Sequence, residues 1–481
     1  MTIVDDSAPG SVEGSWRTDQ SIELDALVVG GGFGGIYTLY KLRQLGLDAK
    51  IFEAGSALGG VWHWNRYPGA RVDSEVPFYQ LSVREVWKDW TWSERFPGHE
   101  ELRRYFKHAA TALDVNDHIQ FQQTVVECNF DETTKKWRVK TKAGREVTCK
   151  FLIVAAGTLY KKHHPDFPGF ADYKGTVLHS SDFPEEGHDF NDQAVAVIGQ
   201  GKPLVPVPMP YSILIFEIGS TGIQIVQEVA KQASSLTVFI RTPNIALPMR
   251  QRRMTAEEQD QYKSIYETLF QASRRCKSGL PYWTDGKASH EASDEERLAR
   301  YEELWARGAF NFNIANYSDI LFDQKANDLM YEFWRDKVRS RMHDEAKRAI
   351  MAPDTSPHPI GTKRPSLEQD YYECIDQDNV HVVDLKTNGL KRFVAEGIET
   401  EDGMVHKLDT IVLATGFDSI TGSYTSMGLK DKEGVDLREK WNEGVRTHLG
   451  MTTPGLPNMF MVYSPQGKCS VIRISSDQIE C

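Results

Sequence analysis

Three glycines at fixed spacing carry the clearest chemical signal in the chain. Gly30, Gly32 and Gly35 form a G-x-G-x-x-G turn directly after the apolar run LDALVV and at the start of the helical stretch IYTLYKLRQL. Glu53 closes the next apolar run, AKIF. Glycines let the backbone turn tightly and approach a pyrophosphate, the helix amino terminus stabilises its charge, and the carboxylate accepts hydrogen bonds from ribose hydroxyls. With strand, helix and acid in register, the pattern predicts a dinucleotide site. A glutamate at the ribose disfavours a 2′-phosphate, so the expected ligand is FAD or NAD rather than NADP. Gly416, in Ala414-Thr415-Gly416-Phe417-Asp418, follows another apolar run. It could bring a distant strand close to a flavin or simply end that strand, and spacing leaves both open.

A second turn is split. AVAVIGQG enters a G-x-G at Gly199, but the third glycine fails to appear in register. Removing residues 201–218 joins Gly199-Gln200 to Gly219-Ser220-Thr221-Gly222, a complete G-x-G-x-x-G built from Gly199, Gly219 and Gly222. A proline-rich excursion inside a phosphate loop would pull the helix amino terminus away from its anion. We therefore expect residues 201–218 to derive from a retained intron. The insert opens with Gly201-Lys202, which GGTAAG can encode together with a splice donor, and the same dipeptide, Gly467-Lys468, opens an atypical terminus. A genuine insertion with a genuine short terminus is the alternative, and sequencing the spliced transcript decides. Arg241 and Thr242 follow the second strand of this unit, where the residues alone leave ligand binding and surface charge equally open.

The elements that must position these residues alternate strand, glycine turn and helix, twice. The expected fold class is α/β, with two Rossmann-like dinucleotide-binding domains and a helical insertion. Residues 1–20 read as a loose arm, 21–165 as the first part of one dinucleotide-binding domain and 166–384 as the second such domain, with the insertion at about 250–345; the family resemblance given next implies FAD for the first and NADP for the second. Residues 385–481 read as a shortened second part of the FAD domain. The composition suits a globular protein: 481 residues, 40% of them hydrophobic. With 56 basic against 68 acidic side chains the net charge is −12, and no basic patch offsets it, so nucleic acid is not an expected partner. The six dispersed cysteines suggest neither a disulfide framework nor a metal centre. No signal peptide or membrane span is read, so the expected location is the cytoplasm.

Two longer stretches resemble a known family. Gly60-Val61-Trp62-His63-Trp64-Asn65-Arg66-Tyr67-Pro68-Gly69-Ala70-Arg71-Val72-Asp73 is similar to the segment after the FAD turn in Baeyer-Villiger monooxygenases. Tyr173-Lys174-Gly175-x-x-x-His179-x-x-x-Phe183-Pro184 resembles their fingerprint F-x-G-x-x-x-H-x-x-x-W-P, with Tyr173 in place of Phe and Phe183 in place of Trp. The resemblance implies FAD and NADPH as cofactors and a ketone substrate, with O2 supplying one oxygen atom to give an ester or lactone. It implies an active-site cation at Arg364, in Ile360-Gly361-Thr362-Lys363-Arg364-Pro365, oriented by Asp73, with Trp62 and Asp73 at the flavin. A permanent guanidinium suits an oxygen anion that must be kept from water. Arg241, Thr242 and Lys363 are implied at the 2′-phosphate of NADPH. His179 is implied as a linker residue rather than a base, and Trp87, Trp90 and Trp92 read as packing. Natural-product metabolism is the implied setting. The alternatives are an N- or S-hydroxylating flavin monooxygenase and a flavin-binding remnant without turnover.

Overall fold

The computed structural model describes residues 22–199, 219–276, 278–284, 286–419 and 421–467. The split-turn insert and the terminus from Lys468 lie outside the described residues. β1 (Ile22–Val29), α1 (Phe33–Gln44) and β2 (Ala49–Phe52) make the opening βαβ unit, with Ala26–Val29 running parallel to Ala49–Phe52. Residues 26–29 are buried on both faces, which is why this strand reads as an unbroken apolar run rather than an alternating one. After α2 (Val61–Trp64), α3 (Arg84–Trp87) and α4 (His99–Ala112), the chain adds β3 (Ile119–Gln120), β4 (Val125–Asp131), β5 (Lys136–Thr141) and β6 (Glu146–Val154). β4, β5 and β6 form an antiparallel meander, and β5 alternates as a one-sided strand should, with Trp137 and Val139 inside and Arg138 outside. β6 then pairs parallel to β1.

The second sheet begins with β7 (Thr176–His179) and β8 (Ala194–Gly199), followed by α5 (Ser220–Val229), β9 (Ser235–Ile240) and the short β10 (Leu247–Pro248). A helical lobe comes next: α6 (Ala256–Lys263), α7 (Tyr266–Arg275), α8 (Asp294–Arg307), α9 (Asn311–Ile314), α10 (Gln324–Arg339) and α11 (Glu345–Met351). Local chemistry starts these helices. Ser293 accepts from the Glu296 N–H at 3.2 Å, Asp323 from Ala326 at 2.8 Å and Asp344 from Lys347 at 2.9 Å, each satisfying a donor that an uncapped first turn leaves open. β11 (Leu367–Glu368) pairs with β10, and α12 (Tyr371–Asp376) leads to β12 (Val380–Asp384).

The remaining elements are β13 (Leu390–Val394), β14 (Gly397–Thr400), β15 (Val405–Lys407), β16 (Thr410–Ala414), α13 (Gly422–Thr425), β17 (Leu429–Lys430), α14 (Leu437–Asn442) and β18 (Met459–Met461). Among the described residues, an eight-stranded sheet has the order β17-β4-β5-β6-β1-β2-β3, with β18 also on β6, and a five-stranded parallel sheet has the order β12-β9-β8-β16-β7. This corrects one sequence boundary. Residues 385–414 were expected in the flavin domain, yet β16 lies between β8 and β7, and the β13–β15 meander packs against the second sheet through Phe393 and Ile398. The backbone groups of β16 are satisfied on both sides there, and its five residues are all buried. The return to the first sheet comes with β17 and β18.

The two sheets meet through α5. The Tyr67 hydroxyl donates to Gln224 Oε1 at 2.9 Å, and Gln224 Nε2 donates to the Arg71 carbonyl at 3.1 Å. Gly69, at φ +77°, lies so close that an added Cβ would sit 2.8 Å from the Gln224 carbonyl oxygen. The Tyr-Pro-Gly of the long family-like stretch is thus the joint between the two units.

Candidate active site

The first glycine turn is built by close packing at two of its three positions. Gly30, at φ +108°, donates its N–H to the Phe52 carbonyl at 2.8 Å, and a Cβ there would lie 2.5 Å from the Ala155 carbonyl oxygen. A Cβ on Gly35 would collide with the Gly30 carbonyl oxygen, so this glycine lets α1 sit on β1. Gly32 differs. Its φ is −84°, which any residue adopts, and an added Cβ would find only the Gly60 Cα at 3.6 Å. Protein packing does not demand glycine at this position, but a ligand lying against the turn would. α1 also starts without a side-chain cap and without an acid in its first turn, leaving its amino-terminal N–H groups to an anion.

These features line a cavity of about 550 Å³ that also takes in Glu53, Trp62, Tyr79 and Arg364. Glu53 accepts from the N–H groups of Gly31 at 2.5 Å and Gly55 at 2.7 Å. Burial pushes its carboxyl above the usual range, while the backbone donors of Gly55 and Gly31 pull the other way. The Trp62 indole N–H donates to the Tyr79 hydroxyl at 2.8 Å with the two rings edge to face. Burial raises the Tyr79 phenol well above its ordinary pKa, so it stays protonated.

Arg364 reaches this wall from the segment that follows the helical lobe. Its Nη2 donates to Asp73 Oδ1 at 2.5 Å, and its guanidinium lies 5.4 Å from the centroid of the Phe310 ring. Its Nε is buried without a hydrogen-bond partner among the described residues. A buried charged donor left open is costly, and a ligand acceptor in the cavity would satisfy it. The open turn at Gly32, the uncapped α1 and this orphan donor fit a dinucleotide bearing a polar ring system.

The second turn shares an edge with this site. Gly199 ends β8, Gly219 immediately precedes α5 and Gly222 is buried within α5. Ile198 pairs with Phe239, so Arg241 and Thr242 emerge from β9 at the same end of the sheet as Gly199. The Ser220 hydroxyl lies 3.0 Å from that of Ser366, which holds the start of α5 against the segment carrying Lys363 and Arg364. Asp73 does not line the cavity and acts on it through Arg364. Gly416 is also absent from the cavity wall: its carbonyl accepts from the His163 N–H at 3.0 Å and faces His179 Nε2 at 3.2 Å. The fingerprint explains itself by packing. A Cβ on Gly175 would collide with the Tyr173 hydroxyl, which donates to the Leu408 carbonyl at 3.0 Å. Trp92 stacks on Tyr105 and Trp87 meets Tyr266 edge to face, both away from the cavity wall. Tyr79, Phe310, Ser366 and Gln224 escaped the sequence reading. Only Tyr79, six positions beyond Asp73, had a nearby signal.

Residues 25–249 match the model of the FMO-like family, flavin-binding monooxygenase-like proteins. Cyclopentanone 1,2-monooxygenase of Comamonas sp. is 40% identical over 92% of this chain and 77% of its own length. A Baeyer-Villiger monooxygenase of Pseudooceanicola batsensis is 33% identical over 92% of this chain and 78% of its own. The chain belongs to the Baeyer-Villiger monooxygenases. Among solved structures, OTEMO in complex with FAD and NADP superposes with a TM-score of 0.86 at 34% identity, covering 94% of this chain and 83% of that one. As a Baeyer-Villiger monooxygenase, the chain is a flavin-dependent oxidoreductase built on two dinucleotide-binding units. No helix among its described residues is long and apolar enough to cross a membrane.

Proposed function

We propose that this Baeyer-Villiger monooxygenase uses FAD, NADPH and O2 to convert a ketone into an ester or lactone, with Arg364 as the catalytic cation and Asp73 as the residue that positions it. The 2.5 Å ion pair between them, which holds Arg364 on the wall of the cavity that carries the glycine turn, is the observation on which this reading rests. FAD held there would supply the redox chemistry that links NADPH, O2 and the ketone. The chain supplies everything else. Gly32 and the open amino terminus of α1 hold the pyrophosphate, and Glu53 accepts from a ribose hydroxyl with its remaining lone pairs. Trp62 and Tyr79 pack the wall near Arg364, and their apolar bulk limits water there. The Arg364 guanidinium stabilises negative charge on oxygen, while Asp73 fixes one edge of it.

With residues 201–218 removed, Gly199, Gly219 and Gly222 would close the second turn and hold the pyrophosphate of NADPH. Arg241, Thr242 and Lys363 receive its 2′-phosphate, since a cation in place of the ribose acid selects NADPH over NADH. The edge shared by β9, α5 and the 363–366 segment supports this grouping. Arg364→Ala tests the central role. The variant should retain FAD and its visible absorbance, yet give at least ~100-fold less ester from a ketone panel, because the cation acts on developing charge and not on the resting cofactor. Ester formation near the parent rate would refute the assignment.

A further inference from the structure

Arg364 is useful only if its guanidinium is held in place, and the means of holding it lie in the helical lobe. Asn327, in the first turns of α10, is 3% exposed and uses its whole amide. Its Nδ2 donates to the carbonyls of Ile320 at 2.7 Å and Ile360 at 2.9 Å, and its Oδ1 accepts from the Ile360 N–H at 2.9 Å. Ile360 is thereby gripped on both backbone groups, as it would be by a neighbouring strand. Gly361 follows at φ +91°, and a Cβ there would collide with the Leu321 side chain, so the turn into Thr362-Lys363-Arg364 packs against the residue next to Ile320, whose carbonyl Asn327 also ties down. Beyond Arg364, Arg341 just past α10 makes a two-pronged ion pair with Glu368, at 2.7 and 3.0 Å, and Glu368 is 1% exposed.

We propose that Asn327 is a positioning residue for the reaction: its amide, acting through Ile360, sets the loop that aims Arg364 at the cavity. Three features support it. The loop is anchored at Ile360 and Glu368, four residues to either side of Arg364, and both anchors come from α10 or the turn that follows it. The Phe310 ring beneath the guanidinium also belongs to this lobe. No other residue type of similar size offers two donors and an acceptor in the plane required to close both Ile360 bonds and the Ile320 bond. The lobe thus has a task in catalysis without touching substrate. The inference rests on the role of Arg364 given above.

The test compares Asn327→Leu with Asn316→Leu in the full chain. Asn316 is equally buried, at 3% exposed, but its side-chain amide bonds within its own turn, to the Phe312 carbonyl and the Tyr317 N–H. Hydrogen exchange of the peptide covering residues 358–366 is followed by mass spectrometry, alongside FAD content, melting temperature and ester formed per NADPH oxidised with the ketone of the panel that the parent converts fastest. Both substitutions should lower the melting temperature similarly. Only Asn327→Leu should speed exchange in 358–366, by about tenfold or more, and divert NADPH oxidation to hydrogen peroxide so that coupling falls roughly tenfold. Combining Asn327→Leu with Arg364→Ala should be no worse in coupling than Arg364→Ala alone, because one residue acts through the other. If the leucine variant is not recovered folded, Asn327→Asp, which keeps the acceptor for Ile360 and loses both donors, should give intermediate exchange. Equal exchange and coupling in the Asn327 and Asn316 variants would overturn the proposal. Unchanged coupling in Arg364→Ala would instead overturn the role of the arginine, and exchange in 358–366 would still show whether Asn327 holds the loop.

Discussion

At the scale of single residues, His179 shows how a motif position can be structural and still leave a measurable trace. Its Nδ1 meets the Ser181 hydroxyl at 2.9 Å and its Nε2 faces the Gly416 carbonyl at 3.2 Å, with the His164 ring 5.3 Å away. Burial first, and the neighbouring His164 second, lower its pKa from 6.5 to about 4, against smaller opposing effects from the Gly416 carbonyl and Asp182. The sign follows directly. Above pH 6.5 both folded and unfolded chains carry a neutral ring and stability is complete. Between 6.5 and about 4 the unfolded chain takes up a proton that the native ring refuses, so stability falls as the pH drops. His63 is held near 4 by burial and by Arg66 and acts in the same direction. Melting temperatures across this window should therefore fall less steeply in His179→Gln than in the parent, without becoming flat. Parallel slopes would show that the ring titrates freely in the native chain.

At the scale of elements, the β1–α1 turn contains two glycines with different reasons to exist, and substitution separates them. Gly35→Ala forces α1 off β1, because the new methyl meets the Gly30 carbonyl oxygen, and should destabilise the apoprotein by roughly 2–4 kcal/mol. Gly32→Ala places its methyl in ordinary contact with Gly60 at an unstrained φ and should leave apoprotein stability within about 0.5 kcal/mol. Its cost should appear in FAD affinity, weakened about tenfold or more, because the cavity and not the polypeptide needs that space. Flavin titration by fluorescence quenching and urea unfolding of the apoprotein distinguish the two. A Gly32→Ala chain that binds FAD as the parent does would remove the turn from the cofactor site.

At the scale of the whole molecule, what matters is how one dinucleotide unit is held against the other. Gln224 on α5 takes the Tyr67 hydroxyl and donates to the Arg71 carbonyl, bridging the second unit to the stretch that ends at Asp73. Gln224→Leu removes both bonds, although the Tyr67 hydroxyl keeps Thr221 as a neighbour, and should cost about 1–2 kcal/mol. Gln224 lines neither the cavity nor the first glycine turn. FAD affinity should stay at the parent value while flavin reduction by NADPH, followed by stopped flow, slows severalfold as the two units lose their register. An unaltered reduction rate in a destabilised variant would mean that this joint stabilises the protein without aligning its cofactors.

The first glycine turn, Glu53 and the α/β class were legible in the chain because each rests on local periodicity or on a contiguous motif, where neighbours in sequence are neighbours in space, whereas Asp73 and Arg364 stand 291 positions apart and only the family resemblance joined them. The placement of β16 was not. A five-residue apolar strand ending in glycine suits either sheet, and only the pairing of Thr410–Ala414 with β8 and β7 assigns it. The same limit hid Phe310, Gln224 and Asn327, whose partners lie far along the chain or in another element and whose residue types carry no pattern of their own. The sequence alone determined which chemistry the protein has the groups to perform. Tertiary packing decided which backbone atoms hold those groups in position, because hydrogen bonds and buried contacts between distant segments exist only once the chain has closed on itself.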